Sequence, residues 1–206
     1  MPGSMELLLA SASPRRRELL QQIGVPFRVV NHGVSEAVEP GETPRDYVLR
    51  TARDKAADVS SRLAADRRAV VLAADTIVVL DGEILGKPRD GDDAQRILER
   101  LSARTHTVYT AVAVHSSAGR EAIVSESQVT FRALAAHEIR AYWASGEPED
   151  KAGAYAIQGF GAVFINRIEG SYSGVVGLPL CETAELLQRH GVACWRPAQR
   201  QGEAQQ

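Results

Sequence analysis

The segment HTVYTAVAVHSSAGREAIVSESQVTFRA, His106 to Ala133, constrains the fold more than any other stretch of the chain. Its residues alternate by twos on both sides of Ser117-Ala118-Gly119. A period of two sends successive side chains to opposite faces of a sheet, and the small turn between the halves predicts a long, twisted antiparallel hairpin. Elsewhere strand-like and helix-like segments alternate. ELLLAS (6–11) is an apolar run bounded by serine and predicts a buried strand. PRRRELLQQIG (14–24) predicts a helix, with Pro14 at its first position, an apolar stripe at Leu19, Leu20 and Ile23, and Gly24 as its stop. PFRVVN predicts a second strand, and a helix follows from Thr43 to Leu63, capped by Thr43.

AVVLAADTIVVLDGEILGK holds two strands around Asp81-Gly82, a hairpin signal. Helices are expected over DGDDAQRILERLS, AAHEIRAYWASG and LPLCETAELLQRHG, and strands over AGAYAI (152–157) and AVFINRIEG (162–170). A long hairpin inside an alternating pattern implies an α/β protein with a mixed sheet. The 206 residues suffice for one well-buried domain or two small lobes sharing a core. Without repeats or linkers, a single domain over 5–192 is expected, with an N-terminal extension (1–4) and a polar C-terminal tail (193–206).

A formal net charge of −2 argues against a general nucleic-acid or membrane-surface binder, so any positive site must be local. No apolar run approaches the roughly 18 residues of a membrane span, and no basic-then-apolar leader opens the chain. Cys181 and Cys194 lie far from any CxxC pattern and read as thiols in a reducing cytoplasm.

Several familiar signatures fail. GEILGKP (82–88) has three residues between its glycines where a phosphate loop has four, and Pro88 replaces the metal-holding hydroxyl. GSYSG (170–174) has Tyr172 where a nucleophile elbow needs serine. HEIRA has Ala141 in place of a second zinc-binding histidine, and GFGAVF lacks the third small residue of a dinucleotide loop. The five histidines are scattered, and none marks a ligand set.

Polar residues in unusual places form a better set. Ser11, Ser13, Arg15 and Arg16 sit at a strand-to-helix junction, where free N–H groups and the helix dipole favour an anion. Taken alone, the stretch is equally a capped helix with a solvated arginine face. Lys55 lies within an alanine-rich helix and, alone, reads as surface. Asp75 falls between VVLAA and TIVVL, inside apolar strand sequence where an unpaired carboxylate is costly. It must reach a cleft, pair with a cation or hold a metal. Lys87, Asp150, Lys151 and Gln158 follow. Two basic clusters, acids for a cation and one amide suit a polyphosphate with a divalent metal better than a single phosphate.

Five blocks now stand in one order: LASASPRRRELL, ADTIVVLDGEILGKP, LSARTHTVYTAVAV, EPEDKAGAYAIQGFGAVFI and GSYSGVVGLPLCET. Together they resemble the Maf family of nucleoside triphosphate pyrophosphatases from Leu7 to His190. The resemblance implies cleavage between the α- and β-phosphates, a divalent cation (Mg²⁺ or Mn²⁺), a cytoplasmic homodimer, and two lobes around a cleft, similar to inosine triphosphate pyrophosphatase folds. It places the catalytic acid/base at Asp75 and phosphate handling at Ser11, Arg16, Lys55 and Lys87. Base selection falls on Arg15, Thr76 and Gln158, in the pattern of the dTTP/UTP branch. The metal falls to Asp75, with Glu36 as a second ligand.

The chain departs from the pattern at Gly33 and Ser35, which replace acids and leave only Glu36 of that group, and at Ala103, where glycine is usual. Gln158 suits a pyrimidine chemically. Its amide has an acceptor and a donor, which match the N3–H and adjacent carbonyl of uracil or thymine. The rival reading is a nucleotide-binding regulator of division or stress response with little turnover.

Overall fold

The computed structural model describes residues 5–63 and 68–195. The expected extension (1–4) and most of the expected tail (196–206) lie outside the described residues. Seven strands among these form one mixed sheet. They are β1 (Glu6–Leu9), β2 (Arg28–Val29), β3 (Ala69–Leu80), β4 (Glu83–Leu85), β5 (Thr105–Ser116), β6 (Gly119–Phe131) and β7 (Ile165–Glu169). The order is β2-β1-β3-β5-β6-β7, with β4 pairing β3. β1 is parallel to β2 and β3, and every other pairing is antiparallel. The predicted long hairpin is β5–β6, in register from Thr105↔Thr130 to Ser116↔Gly119.

Six helices accompany the sheet among the described residues: α1 (Pro14–Gln22), α2 (Pro44–Ser61), α3 (Gly91–Leu101), α4 (Ala136–Ala144), α5 (Tyr172–Val176) and α6 (Leu180–Arg189). α2 starts as its sequence requires: Pro44 is its first residue, and the Thr43 hydroxyl accepts from the Asp46 N–H at 3.2 Å. Its small or branched residues Val48, Ala52, Ala56 and Val59 pack with Val71, Ala73, Ile77 and Val79 of β3. Leu19 and Leu20 of α1, Val175 of α5 and Leu186 of α6 join the core on the other face, with Leu72, Ala74 and Val78.

β3 is therefore buried on both faces, which explains its nearly unbroken apolar sequence. One edge pairs with β5 from Val71 to Val79. The other edge is shared. β1 covers Ala69–Leu72, and β4 covers Val78–Leu80. Residues 73–77 have no strand partner on that edge among the described residues. Asp75 and Thr76 lie in this gap, and alternation sends them to opposite faces.

Two expectations need correction. AGAYAI (152–157) is not a strand: Ala152–Ala154 form a 3-10 turn. Gly153 has φ 70° and Ala154 φ 57°, and the Gly153 N–H donates to the Gly86 carbonyl at 3.0 Å. A Cβ on Gly153 would fall 2.9 Å from Val78 Cγ2, so this backbone bends tightly over β3. The strand expected at 162–170 begins only at Ile165, because Phe160–Phe164 form a second 3-10 turn. The short helix α5, within GSYSGVV, was not foreseen.

Candidate functional site

The gap in the β3 edge collects the predicted residues into three neighbouring groups. The first is built on Arg16, in the first turn of α1. Its Nε donates to the Gly177 carbonyl at 2.9 Å, one terminal nitrogen to Ser11 Oγ at 3.0 Å, and the other to Thr76 Oγ1 at 3.1 Å. A planar guanidinium has five N–H groups, so two remain for an anion. The Thr110 hydroxyl lies 2.9 Å from Thr76 Oγ1 and 2.7 Å from the Gly174 carbonyl. Arg16 thus joins the β1–α1 junction, the middle of β3 and the α5–α6 link. Burial lowers its pKa, and the charge of Asp75 opposes that shift. Ser11 is buried, and its Oγ also accepts from the Ser13 N–H at 3.3 Å.

The second group is an ion triad on the α2 face. Lys55 Nζ lies 2.8 Å from Asp75 Oδ1 and 2.6 Å from Glu36 Oε1. Lys55 is 3% exposed and Asp75 8%, so the α2 lysine read as surface is in fact buried. The alanines around it explain this, since small side chains let α2 approach β3 and turn the long stem inward. Burial alone would raise the Glu36 pKa. The hydrogen bond from Lys55 and the charges of Lys55, Lys87 and His32 outweigh it and hold the carboxyl below the usual range. Lys87 is exposed and reaches the group only through this charge interaction, making no ion pair among the described residues.

The third group is a small cleft on the other side of the gap. Arg15 and Gln158 line it together, over Val78, Val108, Ile157 and Val175. Burial lowers the Arg15 pKa, and Asp150 is the first charge to oppose it. An apolar floor with a cation and an amide at its rim has the chemistry to hold a flat polar ring.

The donor set can be tested against a divalent cation. Asp75 and Glu36 converge on one cationic atom, and Asp75 Oδ2 has no protein partner among the described residues. No group of three or more His, Cys, Asp or Glu side chains is arranged for a metal among those residues. Two carboxylates fit Mg²⁺ or Mn²⁺ held mainly by water and substrate phosphates, which is how such ions usually bind beside phosphates. They do not make a protein-only cage.

Sequence reasoning missed Gly177, Thr110 and the Tyr142–Glu147 pair. Thr110 lies opposite Thr76 in the β3–β5 pairing, a register between strands distant in sequence that no local signal sets. A carbonyl such as that of Gly177 leaves no side-chain signal.

The family described as Maf-like protein matches residues 6–190. A protein named dTTP/UTP pyrophosphatase from Hahella chejuensis (strain KCTC 2396) is 49% identical over 194 residues, covering 94% of this chain and 96% of its own length. One of the same name from Methylococcus capsulatus (strain ATCC 33009 / NCIMB 11132 / Bath) is 53% identical over 192 residues, covering 93% and 94%. Another, from Anaeromyxobacter sp. (strain Fw109-5), is 54% identical over 194 residues, covering 91% of each chain. Among solved structures, a nucleoside-triphosphatase / dITP/XTP pyrophosphatase from Mycobacterium abscessus ATCC 19977 / DSM 44196 aligns with 16% identity and a TM-score of 0.43, covering 89% of this chain and 93% of that one. No helix among the described residues is long and apolar enough to cross a membrane.

Proposed function

The chain belongs to the Maf family, and on that premise we propose that it hydrolyses dTTP and UTP to the nucleoside monophosphate and pyrophosphate. One observation carries this reading: the gap in β3 sets Arg16, Lys55 and Asp75 beside a cleft that Arg15 and Gln158 share. The cations suit a triphosphate, and the cleft suits its base.

Asp75 takes the proton from the attacking water through Oδ2, while Lys55 fixes Oδ1. A positioned base of this kind contributes roughly 10²–10⁴-fold in rate. The free N–H groups of Arg16, with Ser11 and the exposed Lys87, face the triphosphate and stabilise the leaving pyrophosphate. Lys55 holds Asp75 and Glu36 together. Asp75 and Glu36 would also hold a divalent cation, which when bound supplies charge stabilisation on the phosphates. The Gln158 amide pairs with the N3–H and carbonyl edge of the pyrimidine. Ionised glutamate at that place would offer only acceptors and leave the base carbonyl unpaired. Thr76 and Arg15 set the position of Gln158's ligand: Thr76 through its bond to Arg16, and Arg15 from the opposite rim.

The test is a panel of nucleoside triphosphates with Mg²⁺ or Mn²⁺, with pyrophosphate and orthophosphate detected separately. Pyrophosphate released fastest from dTTP and UTP is expected. Orthophosphate as the product would indicate a phosphatase, and binding without turnover a regulator. Gln158→Glu is expected to lower dTTP and UTP turnover relative to purine nucleotides, and an unchanged preference removes Gln158 from base reading.

A further inference from the structure

Gln158 stands on a loop with no regular structure, yet it must present its amide in one orientation to discriminate bases. A polar pair, buried Tyr142 and half-buried Glu147, ties the backbone of this loop. Tyr142 lies in the last turn of α4 and is 5% exposed. Its hydroxyl donates to Glu147 Oε1 at 2.7 Å and accepts from the Ala156 N–H at 3.0 Å. The Glu147 carboxylate also accepts from the Phe160 N–H through Oε2 at 2.8 Å and from the Gly161 N–H through Oε1 at 3.0 Å. One phenol and one carboxylate therefore hold the backbone on both sides of Gln158.

The fit depends on the glycines. A Cβ on Gly159 would lie 2.0 Å from Glu147 Oε2, and one on Gly161 would lie 2.7 Å from the Tyr142 oxygen. The carboxylate sits against the Cα of the residue next to Gln158, too close for any side chain. Burial raises the Tyr142 pKa further than the Ala156 N–H lowers it, so the phenol stays protonated and donates. On the Glu147 carboxyl, burial pulls upward, but the Gly161 N–H, the Tyr142 hydroxyl and the Phe160 N–H outweigh it and keep it ionised.

We propose that Tyr142 and Glu147 are positioning residues for base selection, orienting the Gln158 loop without touching substrate. The proposal rests on the reading that Gln158 contacts the base. Glu147→Gln keeps the shape but sets an NH₂ group against a backbone N–H, and Tyr142→Phe removes the acceptor of the Ala156 N–H while keeping the ring. Losing about one hydrogen bond's worth of loop order corresponds to a change of roughly ten-fold.

The experiment measures kcat/KM for dTTP in both variants, the inhibition constant of inorganic tripolyphosphate, which has no base, and thermal stability. Gln158→Ala is carried in parallel. The expected result is a roughly ten-fold loss for dTTP, mostly in KM, in both variants, with tripolyphosphate inhibition unchanged. An equal weakening of dTTP and tripolyphosphate would mark a merely structural role and overturn the proposal, as would wild-type dTTP kinetics in both variants. If Gln158→Ala also leaves dTTP kinetics unchanged, the fault lies in the reading of Gln158. If Gln158→Ala impairs dTTP use and the other two do not, only the positioning role falls.

Discussion

Lys55 shares its one charge between Asp75 and Glu36, and this makes a quantitative prediction about stability. In Asp75→Asn, Nζ keeps Glu36 at 2.6 Å and faces an amide oxygen where Oδ1 stood. In Glu36→Gln, it keeps Asp75 at 2.8 Å. Each single variant leaves the ammonium one anion. The Glu36 side chain is 47% exposed, so solvent screens its contact and its loss is expected to cost under about 1 kcal/mol. Asp75 is more buried, and its replacement is expected to cost about 1–2 kcal/mol. The double variant is different. It leaves a lysine whose side chain is 4% exposed without any anion, a situation that costs about 3–5 kcal/mol. At the middle of each range the singles sum to about 2 kcal/mol and the double costs about 4, so the expected coupling is about 2 kcal/mol. At about 2–4 °C per kcal/mol for a chain of this size, the double variant should melt on the order of 10 °C below wild type. Urea unfolding of the four proteins at neutral pH and low salt measures the cycle. Additivity within about 0.5 kcal/mol would refute the shared cation. The same proteins separate stability from chemistry: Asp75→Asn should stay folded yet lose roughly 10²–10⁴ in turnover, and near-full turnover would remove Asp75 from the mechanism.

Arg16→Lys should lower turnover on the order of 10²-fold, because one ammonium cannot reach Gly177, Ser11 and Thr76 together and still face a phosphate; steady-state kinetics checks it. His106 is 2% exposed, and burial pushes its pKa from 6.5 down to about 4. The unfolded chain then binds a proton that the native state refuses, so stability rises with pH between about 4 and 6.5, by about 3 kcal/mol. Denaturant unfolding across that window should show the slope, and His106→Gln should flatten it. Chelating divalent cations should abolish pyrophosphate release while leaving the melting temperature within a few degrees, since among the described residues Asp75 and Glu36 alone would hold the ion; a large drop in melting temperature would point to a fuller protein cage.

Much of the fold was legible because it follows from period and punctuation. The alternation across β5 and β6, the Asp81-Gly82 turn and the Thr43-Pro44 start are local signals, and each element formed where its residues required. The errors came where tertiary contact overrides propensity. AGAYAI has strand-like residues, yet Gly153 must bend over Val78, and Ala154 follows into a positive φ. Glu147 went unremarked because nothing in the charged run EPED shows that Tyr142 and two backbone N–H groups converge on it. Lys55 looked like surface because the helix pattern cannot reveal the depth of the contact with β3. Asp75 was the exception, since a carboxylate in an apolar strand demands a partner wherever the strand lies. What it could not disclose is why the strand opens there. β1 ends its pairing at Leu72 and β4 begins at Val78, so among the described residues one edge of β3 has no strand partner over one short segment. Alternation sends Asp75 and Thr76, both within that gap, to opposite faces of one sheet, one toward Lys55 and one toward Arg16. The placing of Lys55 and Arg16 on the two faces thus follows from the position of β3 in the sheet, a property of the assembled fold and of no single motif.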